Sequence, residues 1–262
     1  MSTPNDPVPL TPAPNTTSFL YADSVFYLQP QSTDYIVFPR QTQTGEYFSF
    51  PEGMELDKKT GAINVSKSET GLKYRVSFVP NGQSDTVTSI VLLSGINYLD
   101  GFYRLSTNDS IAKPVYNAVV NNPVPGINNG SIFDEGSGCN SNGCKVDVVN
   151  GQINLAQTVR NGVFGTKPAN NARQEFELNY RLNDGSKKAS NTLKIKLYYF
   201  DSMNDVTQEV LDIISSREGA IFRLYNPSST GDLLSANIDL RISSQPIKNA
   251  KPRPPCIFIV KN

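Results

Sequence analysis

Apolar and polar residues alternate with a period of two in two separate stretches of this chain. Tyr74, Val76 and Phe78 share one face of 73–79, and Phe176, Leu178 and Tyr180 share one face of 175–182. This is the pattern of a strand with one side buried. Each stretch runs into a turn signal, Pro80-Asn81-Gly82 or Asn183-Asp184-Gly185, and then into a second apolar stretch, 88–93 or 192–199. A helical period fits only 206–217, where Val206, Val210, Leu211, Ile213 and Ile214 form one stripe and Asp205 stands as a cap. Strands are further expected at 220–225, 233–242 and 256–260.

The two alternating stretches belong to a longer internal repeat. Residues 54–65 read MELDKKTGAINV and residues 144–155 read CKVDVVNGQINL. At a constant offset of 90, Asp57 matches Asp147, Gly61 matches Gly151, and Ile63-Asn64 matches Ile153-Asn154. The matched residues describe a strand, a tight turn and a strand. Glycine stands where the turn needs a positive φ, and the aspartate side chain is placed to accept from backbone N–H groups. The offset grows to 103 at Gly82 against Gly185, so the second copy carries an insertion of 13 residues in or around 164–174. This insertion and the 121–144 loop are the largest departures between the copies and the expected recognition surface, with packing against the C-terminal segment or tolerated insertion as the alternative. The expected division is a Pro-rich tether over 1–17, one β-sandwich over 18–106, a second over 107–202, and a C-terminal segment over 203–262. That last segment reads as a small α+β module, with completion of the second sandwich as the alternative.

Composition narrows the function classes. Lys plus Arg equals Asp plus Glu at 24 each, so the chain has no electrostatic footprint for DNA or RNA. No apolar run approaches the roughly 18 residues needed to cross a bilayer. The chain has no histidine, which removes Ser-His-Asp and Cys-His catalysis and the common zinc hydrolases. It also lacks a phosphate-cradling Gly-rich loop and a Gly-x-Ser-x-Gly element. The expectation is a protein without catalytic activity.

Three cysteines remain to be placed. Cys139 and Cys144 flank Asn140-Ser141-Asn142-Gly143, and a disulfide closing this short loop is expected, with two free thiols as the alternative. Cys256, inside CIFIV, reads as a small buried apolar residue. Tyr98, Phe102 and Tyr103 lie close enough in sequence to form a sugar-stacking platform. The plainer reading of the same residues is strand-borne core.

One family resemblance follows from these motifs. FPEGMELDKKTGAI at 50–63, followed by GLKYRV at 71–76, resembles the Ig-like domains of bacterial surface proteins, which are related in shape to cadherin repeats. The first copy matches over about 45 residues, and the second lacks the Pro-Glu-Gly approach. In that family the motif is framework. The resemblance implies an all-β protein, two tandem Ig/cadherin-like β-sandwiches with a small C-terminal α+β segment, working as an adhesion, spacer or partner-binding module. The Asn- and Tyr-rich style also resembles Bacteroidetes surface lipoproteins. The start of the chain resembles a mature lipoprotein beyond its lipidated cysteine, which places a lipid anchor upstream of the tether. The short motifs Asp23-Ser24-Val25, Asp85-Thr86-Val87, Asp109-Ser110-Ile111 and Asp201-Ser202-Met203 resemble Bacteroidetes O-glycosylation acceptors. The implied location is extracellular or at the outer-membrane surface, with the periplasm as alternative. The implied partner is a protein or a glycan there, the second through a polysaccharide-uptake system. Because cadherin-like repeats bind calcium between domains, Asp57, Asp147, Asp201, Asn204 and Asp205 are calcium candidates. The Asp-x-Asn-Asp-Asn linker of cadherins is only partly reproduced, and a turn-and-cap role is the alternative for all five.

Overall fold

Why the repeat folds as it does is visible in its turn. The computed structural model of the chain describes residues 20–82, 86–107, 109–216 and 254–262. In both copies glycine adopts the left-handed region, φ 71° at Gly61 and 73° at Gly151, where residues with a side chain are strained. The Gly61 and Gly151 N–H groups donate to the carbonyls of Asp57 and Asp147, each at 2.8 Å. Asp57 Oδ1 accepts from the N–H of Lys59 and Thr60, and Asp147 Oδ1 from that of Val149. Tyrosine hydroxyls close both turns from outside, Tyr21 onto the Gly61 carbonyl and Tyr98 onto that of Gly151. Asn64 and Asn154 cap the next helical turn by accepting from Lys67 and Gln157 N–H. Ser68 and Thr158 each bond back to those asparagine carbonyls and out to the start of the repeat.

In the first unit the strands are β1 (Val25–Phe26), β2 (Ile36–Val37), β3 (Gly45–Phe50), β4 (Ile63–Asn64), β5 (Leu72–Pro80) and β6 (Val87–Leu93). They form a sheet of order β1-β6-β5-β3, with β2 and β4 as a separate antiparallel pair. Strand β1 runs parallel to β6, Val25 opposite Leu92. Leu72, Tyr74, Val76 and Phe78 are fully buried, together with Tyr47, Ile63 and Leu93. The face expected from the alternation is the core face.

The second unit comprises β7 (Ile96–Tyr98), β8 (Gly101–Arg104), β9 (Ile111–Ala112), β10 (Pro114–Tyr116), β11 (Ile132–Phe133), β12 (Ile153–Asn154), β13 (Ala172–Arg181), β14 (Asn191–Phe200) and β15 (Cys256–Val260). Its main sheet has the order β11-β13-β14-β15-β8, flanked by the pairs β12-β9 and β10-β7. Phe176, Leu178 and Tyr180 point into the core with Phe133, Ile153 and Ile195. Where the first unit has a single short turn at Val65–Lys67, the second has helix α2 (Leu155–Arg160) and a run of turns, which accounts for the insertion; a further short helix, α1, spans Gly138–Ser141. The architecture is all-β.

Two expected boundaries shift. Strand β8 falls within 18–106 but belongs to the second sheet, so the first unit ends near Leu93. Strand β15 is integrated into that same sheet, which departs from the separate module expected over 203–262. Ile257 and Ile259 face the sandwich core, while Cys256, Phe258 and Val260 pack on the other side under helix α3 (Gln208–Ser216). An apolar run buried on both faces is what an interior parallel strand requires. On α3, Val210, Ile213 and Ile214 face the sheet, but Leu211 is 44% exposed and leaves the expected stripe. The expected tether at 1–17 and the strands at 220–225 and 233–242 lie outside the described residues.

The two units meet through direct hydrogen bonds. The buried Tyr180 hydroxyl is 2.9 Å from Thr70 Oγ1, accepts from Asn191 Nδ2 at 2.8 Å and lies 3.3 Å from Ile96 N. Asn97 Nδ2 donates to Glu69 Oε1 and to the Thr70 carbonyl.

Candidate functional site

A concavity lies where the two copies depart from each other. Its first bank is α1, held by Asp134, a buried side chain. Asp134 accepts from Cys139 N–H at 2.7 Å and from the backbone N–H and Nδ2 of Asn140 at 2.9 and 2.6 Å. Asn140 in turn holds both backbone groups of Val146. The second bank is the segment after α2, tied to the first by Asn161 Nδ2 donating to the Gly143 carbonyl at 2.8 Å. Between them β13 forms the floor. The groove encloses about 480 Å³, lined by Gly138, Asn142, Val163, Gln174, Glu175 and Asn179 among others. The helix packs on β13 at Gly138, where a Cβ would make ordinary contact with the Glu177 carbonyl at 3.5 Å.

The lining is rich in amides and carries carboxylates. Glu175 pairs with Lys196 at 2.8 Å, and this hydrogen bond holds its carboxyl below the usual range. Glu177 lies 3.6 Å from Lys194. Such exposed cross-strand pairs add little stability, but they hold the carboxylates in place along the floor. Asn142 donates to the Gly138 carbonyl at 2.7 Å, and its amide oxygen has capacity to accept.

The residues singled out from sequence are distributed differently. Cys139 and Cys144 are fully buried free thiols, Cys139 Sγ donating to the Glu177 carbonyl at 3.4 Å, and not the bridge that was expected. The short loop is closed by α1 itself, with Cys144 N–H donating to the Cys139 carbonyl at 3.0 Å. The neighbouring Cys144 thiol and burial push the Cys139 thiol well up, which keeps it protonated and a poor nucleophile. Cys256 is a buried thiol, as expected, and its Sγ donates to the Pro254 carbonyl at 3.4 Å.

Tyr98 is completely buried with its hydroxyl spent on Gly151, so its ring is closed to a sugar. Phe102 packs toward Phe258 on the α3 side, while Tyr103 packs toward the sandwich core. Strand alternation sends the two to opposite faces of β8, and the three aromatics form no common platform.

The calcium candidates are likewise separated. Asp57 and Asp147 each serve the turn of their own unit. Backbone donation from Thr60 and Lys59 holds the Asp57 carboxyl low. Asp201 accepts from the Tyr199 hydroxyl at 3.0 Å. Asp205 bonds the N–H and hydroxyl of Ser202, capping the short turn Met203–Asp205 that contains the exposed Asn204. No three acidic or cysteine side chains cluster as metal ligands among the described residues.

Sequence reasoning placed recognition at the 164–174 insertion and the 121–144 loop, which contain Gly138, Asn142 and Gln174 of the groove, but singled out no individual groove residue. The signal that leads to them is the pair of departures between copies, 121–144 and 164–174, whose edges form the two banks.

No protein-family model matches the chain, and no characterised protein matches it in sequence. Among solved structures it is similar to the EC1-4 region of Drosophila N-cadherin, with a TM-score of 0.23 and 12% identity over 70% of this chain and 47% of that one. A SusE-like surface located polysaccharide binding protein from the Bacteroides thetaiotaomicron heparin utilisation locus gives a TM-score of 0.25 and 12% identity, over 70% of this chain and 34% of that one. Human protocadherin-24 EC1-2 gives 0.20 and 11%, over 67% and 92%. The chain thus spans about half the length of the N-cadherin fragment and a third of the SusE-like protein. At this level nothing about a ligand passes from them to this chain.

Proposed function

We propose that this chain is a non-catalytic binding module of the cell surface, and that it engages its partner in the groove between α1 and the segment after α2. The observation that carries the reading is the coincidence of that groove with 121–144 and 164–174, two segments in which the duplicated copies depart from each other. Residues matched between the copies serve turns and strands, whereas the unmatched ones build a concavity. Loops on a rigid sandwich are where recognition is placed at little expense in stability.

A glycan is the second reading, favoured by the chemistry of the lining. Asn142, Gln174 and Asn179 offer paired donors and acceptors, Glu175 and Glu177 accept from hydroxyls, and Val163 gives an apolar contact. A glycan array followed by calorimetry tests both readings. Asn142→Ala with Gln174→Ala should lower affinity at least tenfold while melting stays within about 1 kcal/mol of the parent. Unchanged binding discards the groove. Turnover of any bound glycan or peptide discards the non-catalytic reading.

A further inference from the structure

The two units treat their first and last strands differently. In the first unit β1 pairs directly with β6, in parallel. In the second unit the corresponding strands β8 and β14 do not touch. Strand β15 lies between them, parallel to both, with Ile257 opposite Gly101 on one side and Leu197 on the other. Among the described residues this strand has no counterpart in the first unit. It enters from residues 217–253 and fills a slot that the duplicated scaffold does not contain.

We infer that the slot between β8 and β14 accepts an exchanged strand, and that a second copy of this chain supplies it through its own Cys256–Val260. Three observations support the exchange. The slot recognises a strand on every side, since its hydrogen bonds go to β14 and β8, Cys256 N–H reaches Asp100 Oδ1 at 2.6 Å, and all five residues are at most 2% exposed. The same contacts form whichever copy donates the strand, so no new surface is required. Because β15 is parallel to both neighbours, no tight turn fixes it to either one. The 37 residues between Ser216 and Pro254 have a maximal reach of roughly 120 Å, several times the radius of a domain of this size. A span of that covalent length allows the strand of one copy to reach the slot of another.

The test uses the full chain in two populations carrying different fluorophores. They are unfolded together, refolded at high concentration, and measured by energy transfer and by mass. Mixed dimers that persist on dilution are expected, with their yield rising with chain concentration. A labelled 254–262 peptide should bind the Ile257→Asp/Ile259→Asp variant at least tenfold more tightly than the parent, and a scrambled peptide should bind neither. Monomers alone at every refolding concentration overturn the inference, whatever the variant does. Mixed dimers that form without unfolding and dissociate at once on dilution overturn it as well, because they place the contact elsewhere.

Discussion

Replacing Gly151 by alanine tests the shared turn most directly. At φ 73° an L-residue is strained by about 1–2 kcal/mol. The new Cβ would also stand 2.7 Å from the ring of Phe133, which is completely buried and cannot yield without disturbing the core. Overpacking of that kind costs about 1–3 kcal/mol more. The expected loss is thus about 2–5 kcal/mol. Gly162 supplies the internal control: its φ is 80°, but nothing lies within 4 Å of a Cβ built there. Gly162→Ala should therefore lose only the backbone part, about 1–2 kcal/mol. Urea unfolding followed by far-ultraviolet circular dichroism measures both, and the midpoints should separate while the slopes agree. Equal losses in the two variants would refute the steric part, and a neutral Gly151→Ala would refute the turn itself. Gly61→Ala should repeat the larger effect in the first unit, where a Cβ would meet Pro39 at 2.6 Å and Tyr47 at 2.7 Å.

Removing the Tyr180 hydroxyl in Tyr180→Phe should destabilise by about 1–3 kcal/mol, because Asn191 and the Ile96 N–H lose a buried partner; an unshifted unfolding midpoint would count against this junction. Burial pushes Tyr180 up to about 12 from an unfolded value of 10. Its contribution is therefore present below pH 10 and is lost as pH rises through 12, and Tyr198 and Tyr199 act in the same direction. Tyrosinate absorbance should lag behind that of free tyrosine and then rise with unfolding, whereas ionisation of all twelve near pH 10 with the fold intact would contradict it. Alkylation without reductant should spare all three cysteines in the folded chain and modify all three after unfolding, while modification of Cys256 alone would reinstate a Cys139–Cys144 bridge.

What the sequence disclosed is what is local. The Asp57 and Asp147 turns, their glycines, and the buried faces of β5 and β13 follow from spacing and alternation within a few residues. The placement of β15 does not. CIFIV announces burial on two faces, but parallel pairing is set by partners some 60 and 150 residues away, Lys196 and Gly101. The boundary near residue 106 moved for the same reason, since β8 is claimed by a strand far downstream. Tyr98, Phe102 and Tyr103 were adjacent in sequence yet parted by the pleat and by the demand of Gly151 for a hydroxyl. The groove was legible only as two mismatched loops, because its floor and banks come together through the fold.

The parallel neighbours also determine how the molecule bears tension. Pulled by the residues before β1 and after β6, the first unit is loaded along the length of those two strands, and the second is loaded in the same way between β8 and β15. Strands drawn past one another in this sense must break their shared hydrogen bonds together, whereas an antiparallel hairpin pulled at its open end loses them one at a time. Resistance to forced unfolding is governed by the unfolding barrier, and both units present the shear geometry that raises it.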